Sequence, residues 1–189
     1  MISEELKMII DMTDEKMDES VEFLTREFSH IRAGKASPAL LDGIKVDYYG
    51  AQTPLIQLAN VSAPEPRMLT VEPYDKSVLA DIEKAIMASN LGLNPNNDGT
   101  IIRIPMPMLS EERRKELVKL AKDKAEQARI SVRNARRDAN DEIKKTVADE
   151  SLPEDSKFEA EEEIQKITDR HTTRVDELLQ KKESEIMTV

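Results

Sequence analysis

Residues 110–149 read SEERRKELVKLAKDKAEQARISVRNARRDANDEIKKTVAD, and this stretch decides the fold. Leu117, Leu120, Ala121, Ala128, Val132, Ala135, Ala139, Ile143 and Val147 recur every three or four residues, the spacing of one apolar stripe on a helix. Neither proline nor glycine interrupts it. Ser110 suits the N-cap, and Glu111 and Glu112 fall in the first turn, where the helix dipole favours acids. At a rise of ~1.5 Å per residue such a helix reaches about 60 Å, far beyond a compact domain of this mass. An elongated protein is expected, able to span distant points on something larger.

Two further stripes flank it. Ile2, Leu6, Ile9, Thr13, Met17, Val21, Leu24, Phe28 and Ile31 predict a helix over 2–31 with Ser3 as its N-cap. Ile164, Ile167, His171, Val175, Leu178 and Ile186 predict a third, opened near Pro153 in a first-turn position. None of the three can bury its stripe alone, so an antiparallel three-helix bundle is expected.

Between the first two helices the pattern changes. Residues 44–49, 55–61 (around Leu55, Leu58 and Val61), 68–72 and 101–104 are short, rich in β-branched or aromatic side chains, and separated by Gly, Pro and Asn, as strands are. Residues 75–90 carry helical spacing through Val78, Leu79, Ile82, Ala85, Ile86 and Ala88. The expected class is α+β: a bundle from 1–33 and 108–189, with a small β/α/β domain inserted at 34–107. The chain crosses between them at Gly34-Lys35-Ala36-Ser37-Pro38 and Ile104-Pro105-Met106-Pro107. Ala33, Gly34, Pro105, Met106 and Pro107 are therefore expected to form a hinge. Met106-Pro107-Met108 reads as an apolar plug at that hinge rather than a ligand site.

Composition narrows the function classes. Aromatic residues are only 3% of the chain and Trp is absent, which favours helix packing over a large sheet sandwich. With no Cys there is no disulfide, thiolate nucleophile or Cys-based metal site. The start is acidic where a secretory leader is basic, and no apolar run approaches the ~18 residues of a membrane span, so no membrane partner and a cytoplasmic address are expected.

A net charge of −10 argues against nucleic acid only if the charge is evenly spread. Residues 1–32 carry 4 basic and 9 acidic side chains and residues 154–189 carry 6 and 11, whereas residues 113–137 carry 10 basic and 3 acidic. On a wheel of about 100° per residue with Ala128 at zero, the core positions Leu117, Ala121, Val132, Ala135 and Ala139 lie within about 40° of zero. Lys115, Lys119, Lys122, Arg129, Arg133, Arg136, Arg137 and Lys144, together with Asn140, lie between about 80° and 180°. Most acids, namely Glu116, Asp123, Asp138, Asp141 and Glu142, lie between about 220° and 320°, with Glu126 the clear intruder in the cationic sector. A helix face built for internal i,i+4 pairing has no reason to separate its signs this way. Every cation from 129 to 137 is Arg, whose planar fork matches phosphate and stacks on bases better than an ammonium.

Other chemistry finds little support. His30 and His171 read as surface or packing residues, and the acidic runs at 161–163 and 11–15 as solvated helix faces. No glycine-rich phosphate loop or paired-histidine metal motif occurs, so neither an enzyme nor a cofactor is expected. The rival reading is a coiled-coil scaffold or chaperone whose basic edge meets an acidic protein. Steep weakening of binding with salt separates phosphate contacts from that alternative.

Several segments taken together carry a resemblance: 31–38 (IRAGKASP), 41–50 (LDGIKVDYYG), 85–95 (AIMASNLGLNP) and 128–140 (ARISVRNARRDAN). In order and spacing, over essentially the whole chain, they resemble the ribosome recycling factor family. The resemblance implies a three-helix bundle with a hinged β/α/β domain, L-shaped and similar in outline to transfer RNA. It also implies a monomer that binds the large ribosomal subunit after termination and, with elongation factor G and GTP hydrolysis by that partner, separates the subunits. By the same resemblance Arg129, Arg133, Arg136 and Arg137 contact ribosomal RNA and Arg32 and Lys35 add contacts near the hinge; Lys122 and Asn140, which share the cationic sector on the wheel, complete the expected RNA-binding set. Lys35 stands where the family pattern has Arg, which keeps the charge and removes the bidentate fork.

Overall fold

A computed structural model describes residues 2–188. The chain folds into two compact units, one running through Arg32 and resuming at Glu111, the other Ala33–Ser110.

The first unit is three helices: α1 (Glu4–His30), α4 (Glu111–Asp149) and α5 (Glu154–Met187). Helix α1 starts where Ser3 accepts the amide of Leu6 on its hydroxyl at 3.3 Å, satisfying one of the donors every helix start leaves unpaired. Pro153 stands at the N-cap of α5 rather than inside the first turn, with the amide of Ser156 bonded back to its carbonyl. The packing partners fix the directions. Leu6 and Ile9 cluster with Ala139, Ile143, Ala160 and Ile164, whereas Met17 clusters with Val132, Ala135 and Ile167. Moving forward along α1 thus moves backward along α4 and forward along α5.

The face that α4 buries is unusual in its side chains. Ala121, Ala125, Ala128, Ala135 and Ala139 fill most of it, with Leu117, Val132 and Ile143 as the larger residues. Alanine contributes little apolar area, so the larger share of burial comes from Leu6, Met17, Leu24 and Ile164 opposite. Each fully buried Leu or Ile is worth about 1.5–3 kcal/mol. Short side chains on one helix let its neighbours approach closely, which brings flanking polar groups of α4 within reach of both partners. Leu120, expected in the stripe, is instead 43% exposed, because it lies some 80° round from Ala128. Buried Thr13 and Thr168 satisfy their hydroxyls on the carbonyls of Ile9 and Ile164, both at 2.7 Å.

The second unit holds six strands and two helices. Strands β1 (Lys45–Tyr48) and β2 (Ala51–Pro54) form a hairpin. Its two-residue turn, Tyr49-Gly50, has φ of 49° and 84°, the left-handed pair that matches strand twist, and Asp47 accepts the Gly50 amide. A helical turn, α2 (Leu55–Leu58), follows where a strand is expected. Leu55 and Leu58 are both buried, and their spacing of three suits one turn of helix as well as a ragged strand. The extended part of that segment begins later, as β3 (Ala59–Glu65).

The main sheet runs β3-β4-β6-β5, all antiparallel, with β4 (Met68–Pro73), β5 (Asn96–Asn97) and β6 (Ile102–Pro105). Strand β3 lies at the edge, where Pro64 can be tolerated, and its register shifts between Ser62 and Glu65. Helix α3 (Leu79–Ala88) is shorter than the expected 75–90, being preceded by a 3-10 turn at Lys76–Val78 that Asp75 caps. It presses Ile82 and Ile86 into a core with Leu41, Val46, Leu69, Val71, Ile102 and Ile104. No helix among the described residues is long and apolar enough to cross a membrane.

Candidate nucleic-acid interface

Helix α4 has two polar flanks, and they meet different neighbours. On one flank Lys124 pairs with Glu27 of α1 at 2.6 Å, Lys16 lies 3.7 Å from Asp138, and the hydroxyls of Ser20 and Ser131 meet at 2.9 Å. The other flank is the cationic sector, and it borders α5. Arg129 donates to Asp176 Oδ1 from Nη2 at 2.6 Å and from Nε at 3.1 Å. Arg136 Nη1 donates to Gln165 Oε1 at 3.1 Å, and Lys122 lies 3.6 Å from Glu183.

Glu126, the acid within the cationic sector, is used in full. One oxygen accepts Arg133 Nη2 at 2.5 Å and the other Arg129 Nη1 at 3.2 Å. Beside these two guanidiniums, Arg133 first, its carboxyl is held below the usual carboxylate range. Arg129 is raised above its ordinary value, chiefly by Asp176. The cationic sector is therefore partly neutralised, by Glu126 from within and by Asp176 from α5, and the second part is not legible along α4 alone.

The eight residues expected to touch RNA fall into groups. Arg129 is among the more enclosed of them, its side chain 26% exposed. Arg133, Arg137 and Lys122 are exposed on the same helix, and Arg136 is half-buried against α5. Arg137 has no hydrogen-bond or ion-pair partner among the described residues. Asn140 sits in the same sector with its Oδ1 buried and unpaired among the described residues. Arg32 closes the first unit just beyond α1, and Lys35 lies in the second unit; both are exposed.

The expected hinge residues are also divided. Pro105 is the last residue of β6, opposite Met68, and the amide of Met106 donates to the Arg67 carbonyl at 2.8 Å, so both belong to the sheet. Ala33 and Pro107 lie outside the ladders, and Gly34 takes φ of +76°. A Cβ at Gly34 would stand 3.2 Å from Leu109 Cγ, so glycine serves both its backbone and its space. The apolar plug does not hold as a unit. Met106 packs on the sheet core, whereas Met108 is 63% exposed.

Of the histidines and acidic runs, His171, Asp14 and Asp18 make bonds between the bundle's helices. His30 is exposed, while His171 is 1% exposed with Nε2 2.6 Å from Asp14. Asp14 also accepts from Arg170 at 2.5 Å, and chiefly for that reason its carboxyl is held below the usual range. Asp18 accepts from Arg174 one turn on.

A three-helix bundle with a sheet unit inserted between its first and second helices, and arginines gathered on one side of the longest helix, defines an α+β helical-bundle protein with a cationic edge. The ribosome recycling factor family matches residues 24–187. A ribosome-recycling factor from Alkaliphilus metalliredigens (strain QYMF) is 57% identical over 176 residues, covering 93% of this chain and 95% of its own. Another, from Geobacillus sp. (strain WCH70), is 52% identical over 184 residues, covering 97% of this chain and 100% of its own. The solution structure of the ribosome recycling factor is similar over 100% of both chains, with a TM-score of 0.69 and 39% identity. The T. thermophilus ribosome recycling factor, described together with the E. coli elongation factor G bound to the E. coli post-termination complex, is similar with a TM-score of 0.60 and 47% identity, over 97% of this chain and 99% of that one. This chain belongs to the ribosome recycling factor family, and it is a translation factor of ribosome recycling.

Proposed function

We propose that the chain binds the post-termination ribosome and lays the cationic edge of α4 on ribosomal RNA of the large subunit. With elongation factor G and GTP it then promotes dissociation into subunits, with release of mRNA and deacylated tRNA. The observation that carries this reading is the separation of sign along α4, with Arg129, Arg133, Arg136, Arg137 and Lys122 on one side. Phosphate contacts dominate the affinity of proteins for RNA, and arginine forks make the strongest of them. Asn140 and Arg32 of the same unit add contacts, and Lys35 of the second unit adds one of its own.

The chain supplies binding and position, and the GTP hydrolysis is that of elongation factor G, so it is not itself an enzyme. A relative is described with that factor on a post-termination complex, which supports the same pairing here. The protein acts as a monomer, and in the cytoplasm because its ribosome is there. Flexure between the units falls to Ala33, Gly34 and Pro107, since Pro105 and Met106 carry sheet bonds.

Breakdown of post-termination complexes, followed on sucrose gradients with this protein, elongation factor G and GTP, tests the reading. Subunits should accumulate only with all three, and binding should weaken steeply with salt. Breakdown that is unaltered in a protein carrying both Arg133→Ala and Arg137→Ala would remove the role of α4.

A further inference from the structure

We infer that Glu126 and Asp176 are built-in competitors of RNA phosphate, which occupy Arg129 and Arg133 in the free protein and are displaced when the α4 edge meets its ribosomal RNA. This inference rests on the proposed RNA-binding role of that edge.

The geometry is that of a phosphate site already filled. Glu126 spans two arginines with its two oxygens, at 2.5 Å and 3.2 Å, much as a phosphate would with two of its own. Asp176 takes Nε and Nη2 of Arg129 from the neighbouring helix, so Arg129 has three of its five N–H groups committed to carboxylates. These are not buried structural pairs. The side chains of Glu126 and Asp176 are half-exposed or more and that of Arg133 is 53% exposed, whereas Arg129 is 26% exposed, so a solvent-borne anion reaches Arg133 directly and Arg129 as its carboxylates give way. Exposed pairs of this kind contribute little to stability, typically about 0.2–1 kcal/mol, which makes them easy to exchange.

The consequence concerns selectivity. A stretched single strand or a loose polyanion offers one or two phosphates in passing and must displace a carboxylate for each. A folded RNA surface that matches the whole edge also reaches Arg137, which is unpaired among the described residues, and Arg136, whose only partner among them is the neutral Gln165. The carboxylates therefore penalise partial contact more than complete contact. They also lower the salt dependence, because each carboxylate released takes up a cation while phosphate gives one off.

The test compares the intact protein with its Glu126→Gln and Asp176→Asn variants for binding to large ribosomal subunits and to poly(U), across a series of salt concentrations. Each variant should bind large subunits about two- to fivefold more tightly, gain at least as much on poly(U), and show a steeper salt slope. In an Arg129→Ala, Arg133→Ala background the Glu126→Gln gain should vanish. Circular dichroism of the variants verifies the helix content. Weaker or unchanged subunit binding in both variants overturns the inference, and weaker binding would make the carboxylates positioning groups for the arginines. Arg133→Ala separates the two levels. If it weakens subunit binding while Glu126→Gln does not tighten it, only this inference fails; if it leaves binding unchanged, the RNA-binding edge fails and the inference with it.

Discussion

Asp14 of α1 and His171 of α5 meet between the two helices at 2.6 Å, the carboxylate partly exposed, the imidazole almost wholly buried and its Nδ1 without a partner among the described residues. Asp14 is thus the acceptor on which this buried ring depends. Asp14→Ala should destabilise the bundle by roughly 1–3 kcal/mol, the cost of leaving a buried polar group unmet, as measured by urea unfolding of the helical signal. His171→Leu, which removes the ring together with its need, should cost less than Asp14→Ala. A larger loss in His171→Leu would overturn this account.

Ala135 lies at the centre of the bundle with Met17, Val132 and Ile167. Ala135→Leu should cost about 1–3 kcal/mol through overpacking, and Ile164→Ala about 2–5 kcal/mol through the cavity it leaves. Unfolding midpoints of both variants check this. Neutral Ala135→Leu would mean that α4 does not need its short side chains.

Arg136 and Arg137 should behave alike in binding and differ little from the parent in stability. Replacing either by Ala should weaken ribosome binding with an unchanged melting temperature. The salt slope should fall by about 0.7–0.9 for each phosphate that the protein ceases to neutralise. Subunit binding titrated at several salt concentrations reads both affinity and slope.

Asp98 accepts the amides of Ile101 and Thr100 and the guanidinium of Arg103, and these hold its carboxyl down at about 2, the Ile101 amide foremost. Its folded value lies below the unfolded one of about 4, so the stabilisation it gives is complete above that pH and is lost as pH falls through about 2. The amide resonances of Thr100 and Ile101 should therefore titrate with a midpoint near 2. A midpoint at about 4, the ordinary aspartate value, would show that the turn does not bond the carboxylate.

The helical unit is legible in the sequence because its stripes are long. Residues 2–31 and 110–149 predict α1 and α4 to within two residues at each end, and Ser3 is the cap that its position predicts. The sheet unit is less so. Leu55 and Leu58 fit two periods, and tertiary burial of both chose the helical turn. Strands Ala51–Pro54 and Asn96–Asn97 have almost no apolar signal, since their pairing is set by the Tyr49-Gly50 turn and by β6. At the α4 edge the separation of sign can be read along one helix, but the bonds from Asp176 and Gln165 cannot. They depend on the register between α4 and α5, which no single stripe encodes. Glu126 is visible as a misplaced acid, and its spacing of three and seven from Arg129 and Arg133 is the signal that could have paired it.

Gly34 and Leu109 lie side by side at the two ends of the inserted unit. For the kinetics of folding this turns a long excursion into a short one. In a flexible loop of that length, closure entropy would oppose the pairing of α1 with α4. An insert that folds first and brings its own ends together removes most of that opposition in advance, so the bundle can then form as though its first two helices were joined by a tight turn.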